Sequence, residues 1–211
     1  MAASGGYVLY GTAWSSCTGR VRIALNLKGI KYRSITDVSR TSKEYAELNP
    51  QALVPLLITP DARLSQSVAI LEYLEEQQPT HSPLLPTDPD GRARVRSIAQ
   101  FVVSEMQPLQ NTRLDKELTK LGVHLLAWRQ TWIKKGFDVL EGMLKSDKTG
   151  KYCHGDSPTM ADCCLVPQAM NAGRYELDMA TWPRCNAVVQ HCIQLPAFEK
   201  ALPQNQPDFE K

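Results

Sequence analysis

Two serines and a cysteine in a row, Ser15-Ser16-Cys17, follow the apolar stretch Tyr7-Val8-Leu9-Tyr10. They precede a segment whose apolar residues Val21, Ala24 and Leu25 recur at helical spacing. Set between a strand and a helix, their hydroxyls and backbone N–H groups fall at the positive end of the helix dipole. That position serves either to cap the helix or to hold an anion or a thiolate. A thiol placed there can have its pKa lowered from about 8.5 to below about 7.5. Cys17 is one of six cysteines, with Cys153, Cys163, Cys164, Cys185 and Cys192. No C-x-x-C pair occurs, and the adjacent Cys163-Cys164 suits neither zinc ligation nor a dithiol redox couple. The other five are read as small buried hydrophobes. Cys17 is expected to be neither a redox centre nor an obligatory nucleophile, since no second thiol lies near it in sequence.

Two further groups support the anion reading. Gln66-Ser67 precedes another helical period, Val68, Ile70, Leu71 and Leu74, where the helix N-terminus would hold a carboxylate. Val54-Pro55 enters a strand, and a cis bond there would turn the Val54 backbone outward to pair with an extended peptide. We expect that bond to be cis. Elsewhere Thr159 and Asp162 read as a capping box with a structural role. Arg92, Arg94 and Arg96 read as a solvated or dimer-facing helix edge. His81, His124, His154 and His191 have no partners spaced for acid–base work.

The elements that must position these groups alternate over the first third. Strand signals at Tyr7–Tyr10, Tyr32–Thr36, Pro55–Ile58 and near Leu64 are separated by helices at Val21–Lys28, closed by Gly29, and Ser42–Leu48. Thr59-Pro60-Asp61-Ala62 is a hairpin turn, and a helix from Val68 ends near Gln77. The order βαβαββα is that of a thioredoxin-like domain, expected over 1–85. A proline-rich stretch of about 78–91 reads as a linker. Beyond it only helices are expected, at Arg92–Pro108, Leu114–Lys135, Phe137–Leu144, Met160–Met170 and Cys185–Leu195. The fold class is therefore α/β plus all-α, with an all-helical second domain over 91–211. The polar end, Pro203–Lys211, is expected to fray.

Composition narrows the function classes. Among 211 residues, 43% are hydrophobic and 22% charged, which excludes a largely disordered chain, and a net charge of +2 gives no footprint for nucleic acid. No apolar run is long enough to span a bilayer, and the first residues lack the features of a secretory leader. A soluble cytoplasmic protein is expected, with no metal, membrane or nucleic-acid partner.

The run Ser15-Ser16-Cys17-Thr18-Gly19-Arg20-Val21-Arg22-Ile23-Ala24-Leu25 resembles that of the zeta-class glutathione transferases, the maleylacetoacetate isomerases. The resemblance continues through Leu48-Asn49-Pro50, Val54-Pro55, Gln66-Ser67-Val68-Ala69, Gln107-Pro108-Leu109-Gln110-Asn111 and Thr159-Met160-Ala161-Asp162, and covers nearly the whole chain. It departs from the family at Gly19, where a Trp is usual, and at Arg40, where a Gln is usual, in a shortened loop. The resemblance implies the glutathione transferase architecture, a homodimer, and glutathione as cofactor. It also implies cis–trans isomerisation of maleylacetoacetate to fumarylacetoacetate in phenylalanine and tyrosine catabolism, by reversible addition of a thiolate to the alkene. The site residues it implies are Ser15 as the thiolate's hydrogen-bond donor, with Ser16 and Cys17 beside it. Arg20, Val54, Gln66, Ser67, Gln107 and Asn111 would bind glutathione, and Arg174 a substrate carboxylate. The same thiolate could instead serve a zeta-like transferase or dehalogenase acting on α-halo acids. A non-enzymatic docking module is a third reading, against which Ser15, Ser16, Cys17, Gln66 and Ser67 all speak.

Overall fold

The computed structural model describes residues 6–209. They form two compact units: 6–84 with 195–209, and Leu85–Gln194.

The first unit is built on a four-stranded sheet in the order β2-β1-β3-β4. β1 (Tyr7–Tyr10) runs parallel to β2 (Tyr32–Ile35) and antiparallel to β3 (Leu56–Ile58), which pairs antiparallel with β4 (Arg63–Ser65). Leu9 and Leu57 face each other across β1 and β3 and are both fully buried. Two helices, α1 (Ser16–Leu27) and α3 (Ser67–Gln77), pack together and bury Val21, Ala24, Leu25, Ile70, Leu71 and Leu74. Gly29, at φ +63°, ends α1 as its position predicts. The short α2 (Lys43–Leu48) is capped by Ser42, whose Oγ accepts the Tyr45 N–H.

One buried ion pair organises the connection after α3. Lys28 Nζ lies 2.8 Å from Glu75 Oε2 and also donates to the carbonyls of Gln78, His81 and Ser82. The same Glu75 oxygen accepts the Leu84 N–H at 2.8 Å. A buried ion pair is tolerated when further hydrogen bonds hold its charges, as the three carbonyls and the Leu84 N–H do here.

In the second unit the helix boundaries differ from those expected. α4 (Pro89–Gln100) starts earlier than Arg92, because Asp88 caps it through the Gly91 N–H and Pro89 suits the first helical turn. It stops at Gln100 and passes into a wide π turn (Phe101–Met106) and a 3-10 turn (Gln107–Gln110); Pro108 has no N–H to continue an α-helix. The expected Leu114–Lys135 helix is interrupted. α5 (Asp115–Lys120) ends before Gly122, which has φ +73°, and His124 Nδ1 caps α6 (Leu125–Met143) by accepting the Ala127 N–H. No break occurs at Gly136, where a side chain would run into Met106. That glycine makes room for a neighbour. α7 (Met160–Arg174) and α8 (Pro183–Ile193) complete the unit. Arg94 is no solvated edge: it donates to the Cys153 and Met143 carbonyls and to Thr149 Oγ1.

Glu141 in α6 caps α8 from outside, accepting the Arg184 and Cys185 N–H groups at 3.0 Å each. Burial pushes its pKa up, but those N–H groups outweigh burial and hold the carboxyl below its ordinary value. The stability it supplies is full above an ordinary glutamate pKa of about 4.3 and is lost as pH falls through the lower folded value. Glu141→Gln should cost about 1 kcal/mol at neutral pH and flatten the acid limb of the unfolding profile. Melting curves at stepwise lower pH would check this, and parallel acid limbs would refute it.

The chain's last described segment does not fray, and it does not join the helical unit as the expected 91–211 boundary has it. Residues 195–209 return to the first unit, where α9 (Pro196–Glu199) packs on α1. Phe198, Ala201 and Leu202 are buried there, Asn26 Nδ2 donates to the Ala197 carbonyl at 2.9 Å, and Asp208 Oδ2 accepts the Ala13 N–H at 2.9 Å. The apolar anchors and side-chain ties hold a segment whose polarity suggests disorder. Among the described residues no helix is long and apolar enough to cross a membrane.

Candidate active site

The sheet register gathers the groups that the sequence singles out separately. Tyr10 is opposite Leu56, and Leu56 is opposite Ser65. The end of β1, the start of β3 and the end of β4 therefore lie side by side. The segments leaving them are Gly11–Ser15, Val54-Pro55 and Gln66-Ser67.

Ser15 is the N-cap of α1, with φ −76° and ψ 104°. Its Oγ accepts the Thr18 N–H at 3.1 Å and the Thr18 hydroxyl at 2.9 Å. Both acceptor positions of the oxygen are thereby used, so its own proton is the one free to donate. Thr18 is fully buried, and at Gly11 any Cβ would run into the Thr18 side chain. The sequence reading treats Thr18 only as part of a motif; its role emerges from this contact. Ser16 opens α1 and is buried, while Cys17 is half-buried and free.

Arg20 ties α1 to α3. It is 1% exposed, yet among the described residues no salt bridge reaches it. Nη1 donates to Ser67 Oγ at 3.0 Å and lies 3.7 Å from Cys17 Sγ, while Nε and Nη2 have no hydrogen-bond partner. A buried cation costs free energy unless negative charge comes near it. Ser67 begins α3, so the cation and the helix N-terminus favour an anion in the same place. Because Ser67 accepts from Arg20, its own hydroxyl proton is also directed away from the guanidinium.

The Val54-Pro55 bond is cis, as expected. The preceding carbonyl, that of Leu53, accepts from Tyr45 Oη and Asn49 Nδ2 at 2.7 Å each, which fixes the loop ahead of Val54. Gln66 adopts φ +70°, a left-handed backbone costing a side-chain-bearing residue on the order of 1–3 kcal/mol. Its Nε2 donates to Gln51 Oε1 at 2.9 Å. Sequence reasoning has no signal for that backbone conformation. Strain of this kind persists where a site needs a particular backbone direction.

Gln107, Asn111 and Arg174 belong to the second unit. Gln107 opens the 3-10 turn, and Asn111 Oδ1 accepts the Arg113 N–H at 3.0 Å. Arg174, the last residue of α7, sits 5.7 Å from the Tyr175 ring centre, and Arg129 sits 5.2 Å from the same ring. Arg129 also pairs with Asp115, and Gln110 Nε2 donates to Gln168 Oε1 at 2.7 Å inside the unit. None of Arg129, Tyr175 or Gln168 stands out in sequence, because each lies in an ordinary helical period or turn. Cys153, Cys185 and Cys192 are buried with thiol pKa values pushed up by burial, so they stay protonated and inert.

Residues 9–83 match the family model for the glutathione S-transferase N-terminal domain. Maleylacetoacetate isomerase from Rattus norvegicus is 42% identical over 207 residues, covering 95% of this chain and 94% of its own. A holo maleylpyruvate isomerase, a bacterial glutathione S-transferase of the zeta class, superposes with a TM-score of 0.91 at 44% identity, covering 95% of this chain and 99% of its own. Maleylacetoacetate isomerase from Anaeromyxobacter dehalogenans, with glutathione bound in its active site, superposes with a TM-score of 0.85 at 39% identity, covering 97% and 98%. Similarity of this degree along nearly the full length of both chains, on a thioredoxin-like sheet followed by helices, means that the chain belongs to the zeta class of the glutathione S-transferases, the maleylacetoacetate isomerase family.

Proposed function

We propose that the chain is a glutathione-dependent cis–trans isomerase converting maleylacetoacetate to fumarylacetoacetate, working as a cytoplasmic homodimer, with glutathione transfer as a side activity. The observation that carries the reading is Ser15, whose hydroxyl accepts twice from Thr18 and so keeps its proton for an outside acceptor at a helix N-terminus. Bound glutathione supplies a thiolate whose reversible addition to the alkene leaves a single bond free to rotate.

The residues present fit that cofactor. Arg20, buried and short of partners, together with Ser67 and the α3 N-terminus, suits the γ-glutamyl carboxylate. Gln66 would hold the same end of the tripeptide, and the Val54 N–H and C=O its cysteinyl backbone. Ser15 would donate to the sulfur, and Ser16 and the Cys17 backbone would support its charge at the start of α1. Gln107 and Asn111 for the cofactor, and Arg174 for a substrate carboxylate, are proposed from the family resemblance alone. Maleylpyruvate is the second reading, favoured by the likeness to the zeta-class maleylpyruvate isomerase.

Turnover of maleylacetoacetate, maleylpyruvate and a chloro-acid, each with and without glutathione, tests the assignment. Isomerisation of a maleyl substrate only with glutathione is expected. Turnover of the chloro-acid alone would replace the isomerase with a dehalogenase. Within this scheme Cys17→Ala should keep measurable isomerase activity, with a changed KM for glutathione, since Arg20 loses one neighbour. Complete inactivation of a folded variant would make Cys17 indispensable.

A further inference from the structure

The Ala13 backbone, two residues before Ser15, is gripped from both sides. Its N–H donates to Asp208 Oδ2 at 2.9 Å, and its carbonyl accepts from Arg22 Nη1 at 3.4 Å. Arg22 is fully buried on α1, whereas Asp208 arrives with the returning segment 195–209. The two charges attract: burial pulls the Arg22 pKa down, and Tyr32 and Asp208 oppose that pull. Arg22 Nε and Nη2 and Asp208 Oδ1 have no hydrogen-bond partner, so the Ala13 backbone is the polar anchor that the two side chains have in common. Beside it, the Trp14 and Phe209 rings pack at a tilt of 34° with centroids 5.4 Å apart. The Ser15 N–H closes the turn onto the Thr12 carbonyl at 3.1 Å. An anion on the N–H and a cation on the C=O hold the two peptide planes that flank the Ala13 Cα. Together they direct the chain into Ser15.

We infer that Asp208 is a positioning residue for the reaction, holding the 11–15 turn through Ala13 so that the Ser15 hydroxyl meets the cofactor sulfur. The inference rests on the reading of Ser15 as the thiolate's donor. Asp208 itself touches neither cofactor nor substrate. Its effect arises because a displacement of about 1 Å in a reacting group can cost about 100-fold in rate.

A merely structural role would predict that any weakening of the returning segment acts alike. Asn26, near the C-terminal end of α1, ties the same segment through Ala197 and provides the comparison. In the full-length protein Asp208→Ala should lower kcat about tenfold, keep KM for glutathione within about twofold, and raise the bound thiol's pKa, read from thiolate absorbance, by about one unit. Asp208→Asn, which retains an oxygen for the Ala13 N–H, should recover most of the kcat. Asn26→Ala should lower Tm while leaving kcat and the thiol titration at wild-type values. An unchanged thiol titration in Asp208→Ala, or an equal kcat loss in Asn26→Ala, would overturn the role. If Asp208→Ala does not fold, Asp208→Gln, which displaces the acceptor by one carbon, is read in its place with the same outcomes. Ser15→Ala in the same assay keeps two failures apart. Wild-type kcat in that variant sinks the Ser15 reading, whereas a damaged Ser15→Ala beside a silent Asp208→Ala sinks only the positioning role.

Discussion

Replacing Ser15 by alanine should lower kcat near neutral pH by about 100-fold while leaving KM for glutathione little changed. The Ser15 oxygen already accepts from the Thr18 N–H and hydroxyl, so the proton lost in the variant is the one available to the sulfur. Without it the bound thiol's pKa rises, and each unit corresponds to about 1.36 kcal/mol and about a tenfold smaller thiolate fraction. Binding should persist because the proposed assignment gives other parts of the tripeptide to Arg20, Ser67, Gln66 and Val54. The lost rate should therefore return in part as pH is raised, since alkali restores the thiolate that the hydroxyl no longer favours. A pH–rate profile identical to wild type would reduce Ser15 to a helix cap and pass the thiolate to Ser16.

The second large effect is on stability. Asp162 is completely buried, with Oδ1 accepting the Cys153 N–H at 2.8 Å and Oδ2 accepting the Thr159 N–H and hydroxyl at 2.7 Å each. Burial pushes its pKa up, and the donors from Cys153 and Thr159 work against burial. Asp162→Ala would leave three buried donors without an acceptor, at about 1–3 kcal/mol apiece. A loss of more than about 3 kcal/mol is a large part of the stability of a chain this size, and Tm should fall by about 10 °C. Whatever folds should keep its kcat, because Asp162 touches no site residue. A Tm within about 2 °C of wild type would show that the capping box is dispensable.

These two residues were the easiest to read in sequence, for a shared reason. A helix cap is a local pattern of three or four residues, and both Ser15 and the Thr159–Asp162 box declare themselves without tertiary information. The element order βαβαββα also followed from alternation and turn chemistry. What stayed illegible depends on partners distant in sequence. The closeness of Gly11 to Thr18, the left-handed Gln66 and the Arg20–Ser67 bond exist only once the sheet has closed. Gly122 and Gly136 look alike in sequence, yet one breaks a helix by its φ and the other lies inside one, making room for Met106. Periodicity cannot separate those uses. Phe198 and Leu202, between the last expected helix and the polar end at Pro203–Lys211, likewise gave no local sign that they are anchors.

The return of 195–209 to the first unit has a consequence for how the protein is made. Synthesis delivers the sheet, α1 and α3 early, but α9, which covers α1, follows only after the whole of Leu85–Gln194 has left the ribosome. A nascent chain can therefore assemble its sheet while the face of α1 that meets α9 is still bare and the Ala13 peptide still lacks Asp208. The order of translation thus withholds a finished Gly11–Ser15 turn until the helical unit has been made. A product interrupted before residue 195 would carry Ser15, Cys17 and Ser67 on an uncovered helix pair, a state that proteases and chaperones can tell from the completed chain.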